Sequence, residues 1–357
     1  MHNSKIAPFF RKYRFLVVGA VAVLAIAVAL LIGGILIAAI GKSPAAAYQA
    51  FFSSIFATKH NFGETLNKFV PLLCCALSFA IANKSGFFNL GCEGQLYMGA
   101  VATVLVGVYV TGLPPVLHIT LAIVAGLLGG VIMSGVAGFL KIVFGANELI
   151  TTLLLNYIVT YIVGMLVSGP LKDPNSMVEQ SYRIADSAKL PFLMQGSRMH
   201  LGLIIVLVVT FLVWFLQQHT VAGYEMRLAG MNAKSARYAG VNIRRSLIIV
   251  IIISGALSGL GGSLELLGNQ YKLMEGFSSN YGFDAIGIAV MGQYHPVGII
   301  LSALLFAMLR VGANGMQRSV GVPLPVFYIL QGIIIICVIV SNYFVQRIMD
   351  SMVEGRA

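Results

Sequence analysis

The chain has 357 residues, of which 58% are hydrophobic and 10% are charged. Soluble domains carry about 25% charged residues, so this composition excludes a soluble enzyme or binding module and requires lipid as the solvent. The formal net charge of +11 does not indicate nucleic-acid binding, because the basic residues cluster at the ends of apolar runs. That placement follows the positive-inside rule, and we expect membrane lipid, and no nucleic acid, as a partner.

The first apolar run, residues 15–40, follows a basic segment at 1–14. The run is about 26 residues long, whereas the apolar core of a cleavable signal has about 7–15. It therefore predicts a first transmembrane helix, with 1–14 as a cytoplasmic tail. The basic residues of that tail are Lys5, Arg11, Lys12 and Arg14.

Further runs of about 20 apolar residues each predict a membrane crossing. They lie at 64–82, 96–112, 117–141, 149–168, 200–218, 247–268 and 325–346. The stretch 282–311, interrupted by His295 and Pro296, predicts a short helix and a longer one. Residues 1–357 are thus predicted to form a single all-α integral membrane domain with about ten transmembrane helices.

The number of crossings also predicts the topology. An even number places both termini on one side of the membrane, and the basic tail makes that side the cytoplasm. The segment 219–246, rich in arginine and lysine, follows the sixth crossing and then lies inside as well. The segment 169–199 becomes the largest external loop, with charges of both signs. We interpret it as a solvated cap, with a specific docking surface as the alternative.

Glycines recur at helical spacing inside two of the predicted crossings. Gly126 and Gly130 form one G-x-x-x-G pair, and Gly255 and Gly259 form another. This spacing lets helices approach closely in lipid, so it predicts a tightly packed bundle.

A short internal similarity links the two halves of the chain, because SGFFNLG at 85–91 resembles YGFDAIG at 281–287. The crossings before these segments, 64–82 and 247–268, run in opposite directions in the predicted topology. The pattern is typical of inverted repeats, in which broken central helices meet near the bilayer midplane around the transported molecule.

Polar residues within or beside the apolar runs are candidates for a translocation path, because ionisable groups are costly inside a membrane. Asn89, Glu93 and Gln95 lie among glycines where the backbone is predicted to be broken, and amides suit hydroxyls and nucleobase edges. A structural pair between Glu93 and Lys84 is the alternative. The remaining candidates are Asn147, Glu148, Asn156, Glu265 and Asp284, of which Glu148 could simply complement a helix start.

A Gly-bounded segment of the cytoplasmic loop, 230–240, predicts a short helix at the inner face of the membrane. A permease driven by a separate ATPase needs such a rigid contact, and small residues would let this helix seat in a groove. An ordinary positive-inside loop is the alternative, but it does not explain the Gly-bounded helix. The residues assigned to ATPase coupling are Gly230, Asn232, Ala236, Arg237, Tyr238, Ala239 and Gly240.

The sequence contains no recognisable catalytic constellation or metal-ligand spacing. Its four cysteines and its histidines lack the spacing of a zinc site. The tripeptide 41–43, GKS, imitates the end of a nucleotide-binding loop, but position 36, which requires glycine, is leucine. We expect no enzyme activity, no metal and no cofactor, so that any ATP is hydrolysed by a partner chain.

Five short blocks, spread from about residue 64 to 335, are specific in combination. They are FNLGCEGQL at 88–96, NELITT at 147–152 with Asn156 and Tyr157, SGALSGL at 254–260, GMNAKSARYAGV at 230–241, and GFD at 282–284 with His295 and Pro296. These blocks resemble the branched-chain amino acid/ribose-type ABC permease family, and 88–96 is similar to its NIGxEGQ segment in the nucleoside form. Cys92 stands where the family more usually has an aliphatic residue.

The resemblance implies a multi-pass permease for guanosine or another purine nucleoside in a bacterial cytoplasmic membrane. It implies as partners an ATPase with two nucleotide-binding domains, a second homologous permease and an extracytoplasmic substrate-binding lipoprotein. The helix at 230–241 would then be the ATPase contact. The nucleoside assignment depends on Glu93, Gly94 and Gln95, because sugar-branch members resemble the other blocks almost as well.

Other functions stay open at this point. The same machine could carry a simple sugar such as ribose. An ion-coupled secondary transporter would fit the intramembrane acids but not the Gly-bounded cytoplasmic helix. A membrane-embedded enzyme is disfavoured, because no catalytic triad, metal cluster or nucleotide loop is recognisable.

Overall fold

The structure is a computed structural model that describes residues 14–194 and 196–354, and the side chains of 24, 27–194 and 196–340. The basic residues Lys5, Arg11 and Lys12, on which the predicted cytoplasmic tail depends, lie outside the described residues. Within the described ranges the chain is helical, and its paired extended residues form only isolated backbone bridges. The predicted all-α architecture is therefore confirmed for this part of the chain.

The helices follow one another along the whole described chain. The first half contains α1 Arg14–Ala39, α2 Pro44–Phe56, α3 Lys59–Lys84, α4 Cys92–Tyr109, α5 Pro115–Phe144 and α6 Glu148–Ser168. The second half contains α7 Gly202–His219, α8 Val221–Met231, α9 Ala233–Tyr238, α10 Ile243–Glu265, α11 Tyr281–Met291, α12 Pro296–Val320 and α13 Leu324–Glu354. A 3-10 turn lies at Asp186–Ala188, and a π-helical turn, Leu266–Gln270, extends α10.

Six helices of the described chain are long and apolar enough to cross a membrane: α3, α5, α6, α7, α12, and α10 with its π-helical extension. Shorter apolar helices lie at Ala27–Ala39, Tyr281–Met291 and Leu324–Val340. The chain is thus an integral membrane protein, and the total of about ten crossings stays a prediction. Helix α2 was not predicted, because its serines and Gln49 interrupt the apolar pattern. Ser43 caps its start, and Pro44 occupies its first position.

Contacts divide the described residues into two compact units, those up to 58 together with those from 308 onward, and those from 59 to 307. In the first unit, α1 packs along α13, and the hydroxyl of Tyr48 in α2 donates a hydrogen bond to a carbonyl of α1. The end of α12 lies so close to α2 that a Cβ on Gly312 would be 2.2 Å from the ring of Phe51. These four helices therefore share one packed interior.

Helix α10 lies at the centre of the second unit, against α3, α4 and α5. Helix α3 is surrounded by protein, since 89% of its most apolar stretch is buried, against 28% for α6 and for α7. The outer helices α5, α6 and α7 expose large apolar side chains such as Ile132, Tyr161 and Phe211. An apolar helix that is buried belongs to the interior of a bundle, whereas exposed apolar faces suit lipid.

The predicted external loop, 169–199, is fastened to the segment that follows α10. Backbone N–H groups of Ser181, Ile184 and Leu190 donate to carbonyls of residues 267–273 over 2.8, 2.9 and 3.0 Å. Its charged side chains Glu179, Arg183 and Asp186 are exposed. The loop thus combines one exposed face that carries charged side chains with another face that is hydrogen-bonded to residues 267–273.

The two G-x-x-x-G pairs meet each other where α5 crosses α10. A Cβ on Gly130 would lie 2.1 Å from the carbonyl oxygen of Gly255, and one on Gly259 would lie 2.3 Å from that of Gly126. Helix α4 joins the same contact, because a Cβ on Gly99 would lie 2.5 Å from the Cα of Gly259. The predicted close approach of helices at these glycines is confirmed.

Replacing Gly130 by alanine should destabilise the purified chain by about 1–3 kcal/mol, because the added methyl group overlaps the backbone of α10. The matched control is Gly135→Ala in the same helix, where a Cβ would meet no atom within 4 Å. Thermal unfolding in detergent measures both variants. Equal losses of stability would contradict the packing described for this crossing.

Candidate functional site

The first turns of α4 and α11 meet inside the second unit. Glu93 of α4 is 4% exposed and accepts a 2.6 Å hydrogen bond from the backbone N–H of Gly282 in α11. A Cβ on Gly282 would lie 2.3 Å from the backbone nitrogen of Glu93, so a side chain there would clash with α4. Helix N-termini carry partial positive charge, and both helix starts therefore stabilise the Glu93 carboxylate.

Asn89 and Gln95 form a reciprocal amide pair beside this junction. Nδ2 of Asn89 donates to Oε1 of Gln95 over 3.1 Å, and Nε2 of Gln95 donates to Oδ1 of Asn89 over 3.0 Å. Oδ1 of Asn89 also accepts from the N–H of Gly91 over 2.9 Å, and both amide side chains are buried. The pair fixes the non-helical segment that leads into α4.

Two side chains of α6 hold the same non-helical segment and the first turn of α4. Oδ1 of Asn156 accepts from the N–H of Gly94 over 2.8 Å, and its Nδ2 donates to the carbonyl of Leu90 over 2.8 Å. Oγ1 of Thr152 accepts from the N–H of Leu90 over 3.1 Å. Broken backbone at membrane depth needs such partners, so Asn156 satisfies the backbone of this segment.

A second buried network surrounds Glu265, the last residue of α10. Its Oε1 lies 3.5 Å from Nζ of Lys68 and accepts from the side-chain amides of Asn269 and Gln270 over 2.8 and 3.0 Å. Nζ of Lys68 also donates to the hydroxyl of Tyr281 over 2.8 Å. The network therefore joins α3, the π-helical turn and the start of α11.

Lys68 was not among the predicted site residues. A signal for it is present in the sequence, because it is an ionisable residue inside the apolar run 64–82. The sequence does not reveal its partner, since Glu265 lies 197 residues further along the chain.

Two of the predicted path residues have roles at helix ends. Asn147 is the N-cap of α6, and its Oδ1 accepts from the N–H of Leu149 over 2.9 Å. Glu148, in the first turn of α6, forms an ion pair with Lys141 in the last turn of α5. Neither side chain lies in the buried networks of Glu93 and Glu265.

Asp284 is partly buried in the first turn of α11, two residues after Gly282. The alternative partner of Glu93, Lys84, instead lies near Arg227, whose like charge acts on it. The interpretation of Glu93 as one half of a structural pair with Lys84 therefore has no support in the structure.

The predicted coupling segment, 230–240, comprises the end of α8, the short helix α9 and a turn. Asn232 caps α9, because its Oδ1 accepts from two N–H groups of the first turn over 3.0 and 3.1 Å. Ala236 is fully buried, which anchors one side of this short helix, and Gly240 ends the segment with a φ of +85°. On the rest of its surface, Arg237, Tyr238 and Ala239 are exposed.

The start of the coupling segment touches the turn after α3. A Cβ on Gly230 would lie 2.1 Å from the carbonyl oxygen of Lys84, and one on Gly86 would lie 3.2 Å from the Cα of Gly230. The next residue, Phe87, is fully buried in a cluster with Met226 of α8. Backbone contact thus connects the coupling segment with the chain that leads into α4.

The described residues contain no group of three or more His, Cys, Asp or Glu side chains placed to hold a metal ion. The cysteines Cys74, Cys75 and Cys92 are free and buried, and the thiol of Cys92 donates to the carbonyl of Asn89 over 3.6 Å. The second unit therefore offers amides, hydroxyls and carboxylates, which suit a polar organic molecule.

Comparisons with known proteins place these residues in a family context. Residues 61–339 match the protein family described as the permease component of branched-chain amino acid transport systems. The chain is 34% identical to a guanosine ABC transporter permease of Bacillus subtilis, an alignment that covers 93% of this chain and 96% of that protein. It is 32% identical to a glucose ABC transporter permease of Haloferax volcanii, with 90% and 87% covered. A nucleoside ABC transporter permease of Lactococcus lactis is 30% identical, with 90% of each chain covered.

Replacing Lys68 by methionine should destabilise the purified chain by about 3–5 kcal/mol, because the buried Glu265 carboxylate loses its counter-charge. The double variant Lys68→Met, Glu265→Gln should recover most of that loss, since an amide oxygen can still accept from Asn269 and Gln270. Thermal unfolding in detergent compares the variants with the native chain. Identical melting temperatures for the single and double variants would show that the two charges are not coupled.

Proposed function

Because this chain belongs to the permease family of branched-chain amino acid transport systems, we propose that it forms the translocation path for nucleosides in an ABC importer. As a permease component it is a transport subunit and not an enzyme. The observation that carries the nucleoside assignment is the similarity of nearly the whole chain to a guanosine permease. The carboxylate and amides at 89–95 support it, because these groups bind hydroxyls and nucleobase edges.

The path lies, in this proposal, between two broken regions related as an inverted repeat. Helices α3 and α10 run in opposite directions, because Ala82 and Val250 share one apolar cluster while Lys68 and Glu265 pair at the other end. Each helix is followed by a non-helical stretch and by a helix, α4 or α11, that begins at the Glu93 junction. This arrangement supports about ten crossings around broken central helices.

Six of the predicted residues keep their assignment to the path: Asn89, Glu93, Gln95, Asn156, Glu265 and Asp284. Asn147 is left out because its side chain caps α6, and Glu148 is left out because it forms an ion pair with Lys141. The proposal therefore narrows the path to α4 and the segment before it, α6, α10 and α11.

The partners follow from the family. An ABC permease works with an ATPase and a substrate-binding protein, and we propose an ATPase with two nucleotide-binding domains, a second homologous permease and an extracytoplasmic lipoprotein. The arginine- and lysine-rich segment 219–246 supports a cytoplasmic position for the coupling segment and for both termini, in a bacterial cytoplasmic membrane. ATP is consumed by the partner subunit.

The coupling segment gives this proposal a mechanical route. Movement of an ATPase against the exposed face of α9 acts on Gly230, whose backbone touches the backbone of Lys84. Densely packed backbone transmits displacement rather than absorbing it by side-chain rotation. The displacement then reaches the non-helical segment that carries Asn89 and ends at Glu93.

Deleting the gene in its own bacterium should abolish uptake of radiolabelled guanosine, and a plasmid copy should restore it. A Glu93→Gln copy should restore the membrane protein but leave uptake at least tenfold lower, because the amide keeps an acceptor for Gly282 but removes the charge. Filter uptake assays measure transport, and immunoblots of membranes measure the amount of protein.

Deletion of the partner ATPase is the control that separates the classes of transporter. Guanosine uptake that survives it would support an ion-coupled secondary transporter instead. Loss of ribose or glucose uptake, with guanosine uptake unchanged, would support the simple-sugar function that the Haloferax relative suggests.

Replacing Gly230 by alanine should lower guanosine uptake at least tenfold while the assembled complex continues to hydrolyse ATP, because a Cβ overlaps the Lys84 carbonyl. Gly164→Ala in α6 is the matched control, since a Cβ there meets no atom within 4 Å. Proteoliposomes with the whole complex give transport and ATP hydrolysis together. Normal transport by the Gly230 variant would remove this contact from the coupling route.

A further inference from the structure

Two polar atoms near the end of α10 are buried without a hydrogen-bond partner among the described residues. They are Oε2 of Glu265 and Nε2 of His200. Both side chains are almost completely enclosed, with exposed fractions of 0% and 1%. Buried polar atoms are nearly always paired, so two unpaired atoms on neighbouring residues indicate a place where a further polar group binds.

The hydrogen bonds of His200 determine which of its nitrogens carries the proton. Its Nδ1 accepts a 3.1 Å hydrogen bond from the N–H of Gly202, so Nδ1 is unprotonated. An imidazole that accepts at one nitrogen is neutral and carries its proton on the other nitrogen. The proton is therefore on Nε2, and the unpaired atom of His200 is an N–H donor.

The two side chains belong to one local structure, the π-helical turn after α10. The ring of His200 lies against this turn, because a Cβ on Gly268 would be 2.5 Å from its ring carbons. Glu265 immediately precedes the turn, and its carboxylate acts electrostatically on His200. Single π-helical turns within α-helices are frequent at functional sites. An N–H donor and a carboxylate acceptor thus both lie at this π-helical turn, in the interior.

This pair of atoms selects the chemistry of its ligand. A hydroxyl accepts from an N–H and donates to a carboxylate through one oxygen atom, so it satisfies both atoms at once. An anion has no proton for Glu265, and a cation cannot accept from His200. Lys68 does not compete for Oε2, because it contacts the other carboxylate oxygen, Oε1, and the hydroxyl of Tyr281.

Glu265 and His200 lie far from the coupling segment and close in the contact network to the Glu93 junction of the proposed translocation path. Glu265 ends α10, and at about 1.5 Å per residue it lies roughly 33 Å from the start of that helix beside the coupling segment. Tyr281, which Lys68 contacts, directly precedes Gly282, which bonds to Glu93. Glu265 is therefore connected to the Glu93 junction through Lys68 and the adjacent residues Tyr281 and Gly282.

We propose that Glu265 and His200 form a hydroxyl-recognition subsite in the half of the path remote from the coupling segment, where they bind a sugar hydroxyl of the transported nucleoside. Lys68 is a positioning residue that holds the Glu265 carboxylate. The inference rests on the proposed nucleoside function. The same chemistry would accept a water molecule, and the experiment separates the two sources.

The test compares uptake of guanosine with uptake of its 2′-deoxy, 3′-deoxy and 5′-deoxy analogues in the deletion strain. Strains with the native chain should import at least one analogue roughly tenfold to hundredfold more slowly, because a site built for a hydroxyl rejects molecules that lack it. His200→Asn should bring the ratio of guanosine uptake to uptake of that analogue close to one. An asparagine oxygen can replace Nδ1 as the acceptor for Gly202, but the N–H of Nε2 is lost.

Two controls separate recognition from structure. His200→Gln can place an amide N–H near the former Nε2 position and should retain most of the discrimination. His118→Asn removes another buried histidine whose nitrogens are both partnered, by Ser187 over 2.9 Å and by the Val106 carbonyl over 3.2 Å. It should leave the ratio unchanged. All other components of the transporter are the same in every strain, so the substitution in this chain must cause any change in the uptake ratio.

An unchanged ratio for all three analogues in His200→Asn would overturn the subsite and leave a bound water as the occupant. A native chain that imports guanosine without discriminating against any deoxy analogue would overturn it too. A native chain that imports no nucleoside would refute the proposed function itself, and the subsite with it.

Discussion

Backbone groups inside a membrane have no water to bond with, and both broken regions of this chain are built around that constraint. In the segment before α4 and in the first turn of α4, backbone N–H groups donate to the side-chain oxygens of Asn89, Thr152 and Asn156. The segment before α11 is held by Tyr97, whose hydroxyl accepts from the N–H of Ser278 over 3.1 Å, and by Gln270. A solute that bound these amides would have to displace backbone hydrogen bonds. This argues for the carboxylates as the main polar contacts of the proposed path.

Glycine contacts give the second unit its rigidity at the places where motion would have to pass. Gly130 and Gly259 join α5 to α10, Gly282 joins α11 to α4, and Gly230 joins the coupling segment to the turn after α3. At each contact backbone meets backbone, so no side-chain rotation can relieve a displacement. These glycines, which carry no functional group, therefore determine whether the polar groups between α4 and α11 can respond to movement of the proposed coupling segment.

The sequence predicted those features that depend on local pattern. Apolar runs located most of the long helices but not α2. Glycine spacing predicted close packing without naming the two helices that meet, and the glycines that bound 230–240 predicted the short helix α9. Pairings across long separations could not be predicted, such as Lys68 with Glu265, because nothing local encodes a partner 197 residues away. The capping role of Asn147 was not predicted, for a related reason. A polar residue before an apolar run looks the same whether it caps a helix or faces a solute.

The charges of the buried networks bear on which solute the bundle can accept. A zwitterionic amino acid, for which the family is named, needs a cation for its carboxylate as well as an anion for its ammonium group. In the described networks around Glu93 and Glu265 the cation is Lys68, and its ammonium group is engaged by Glu265 and Tyr281. The remaining groups are amides, hydroxyls and carboxylates, which match a neutral molecule rich in hydroxyls. Nucleosides and sugars both have that character, so these groups alone do not distinguish a nucleoside from a sugar.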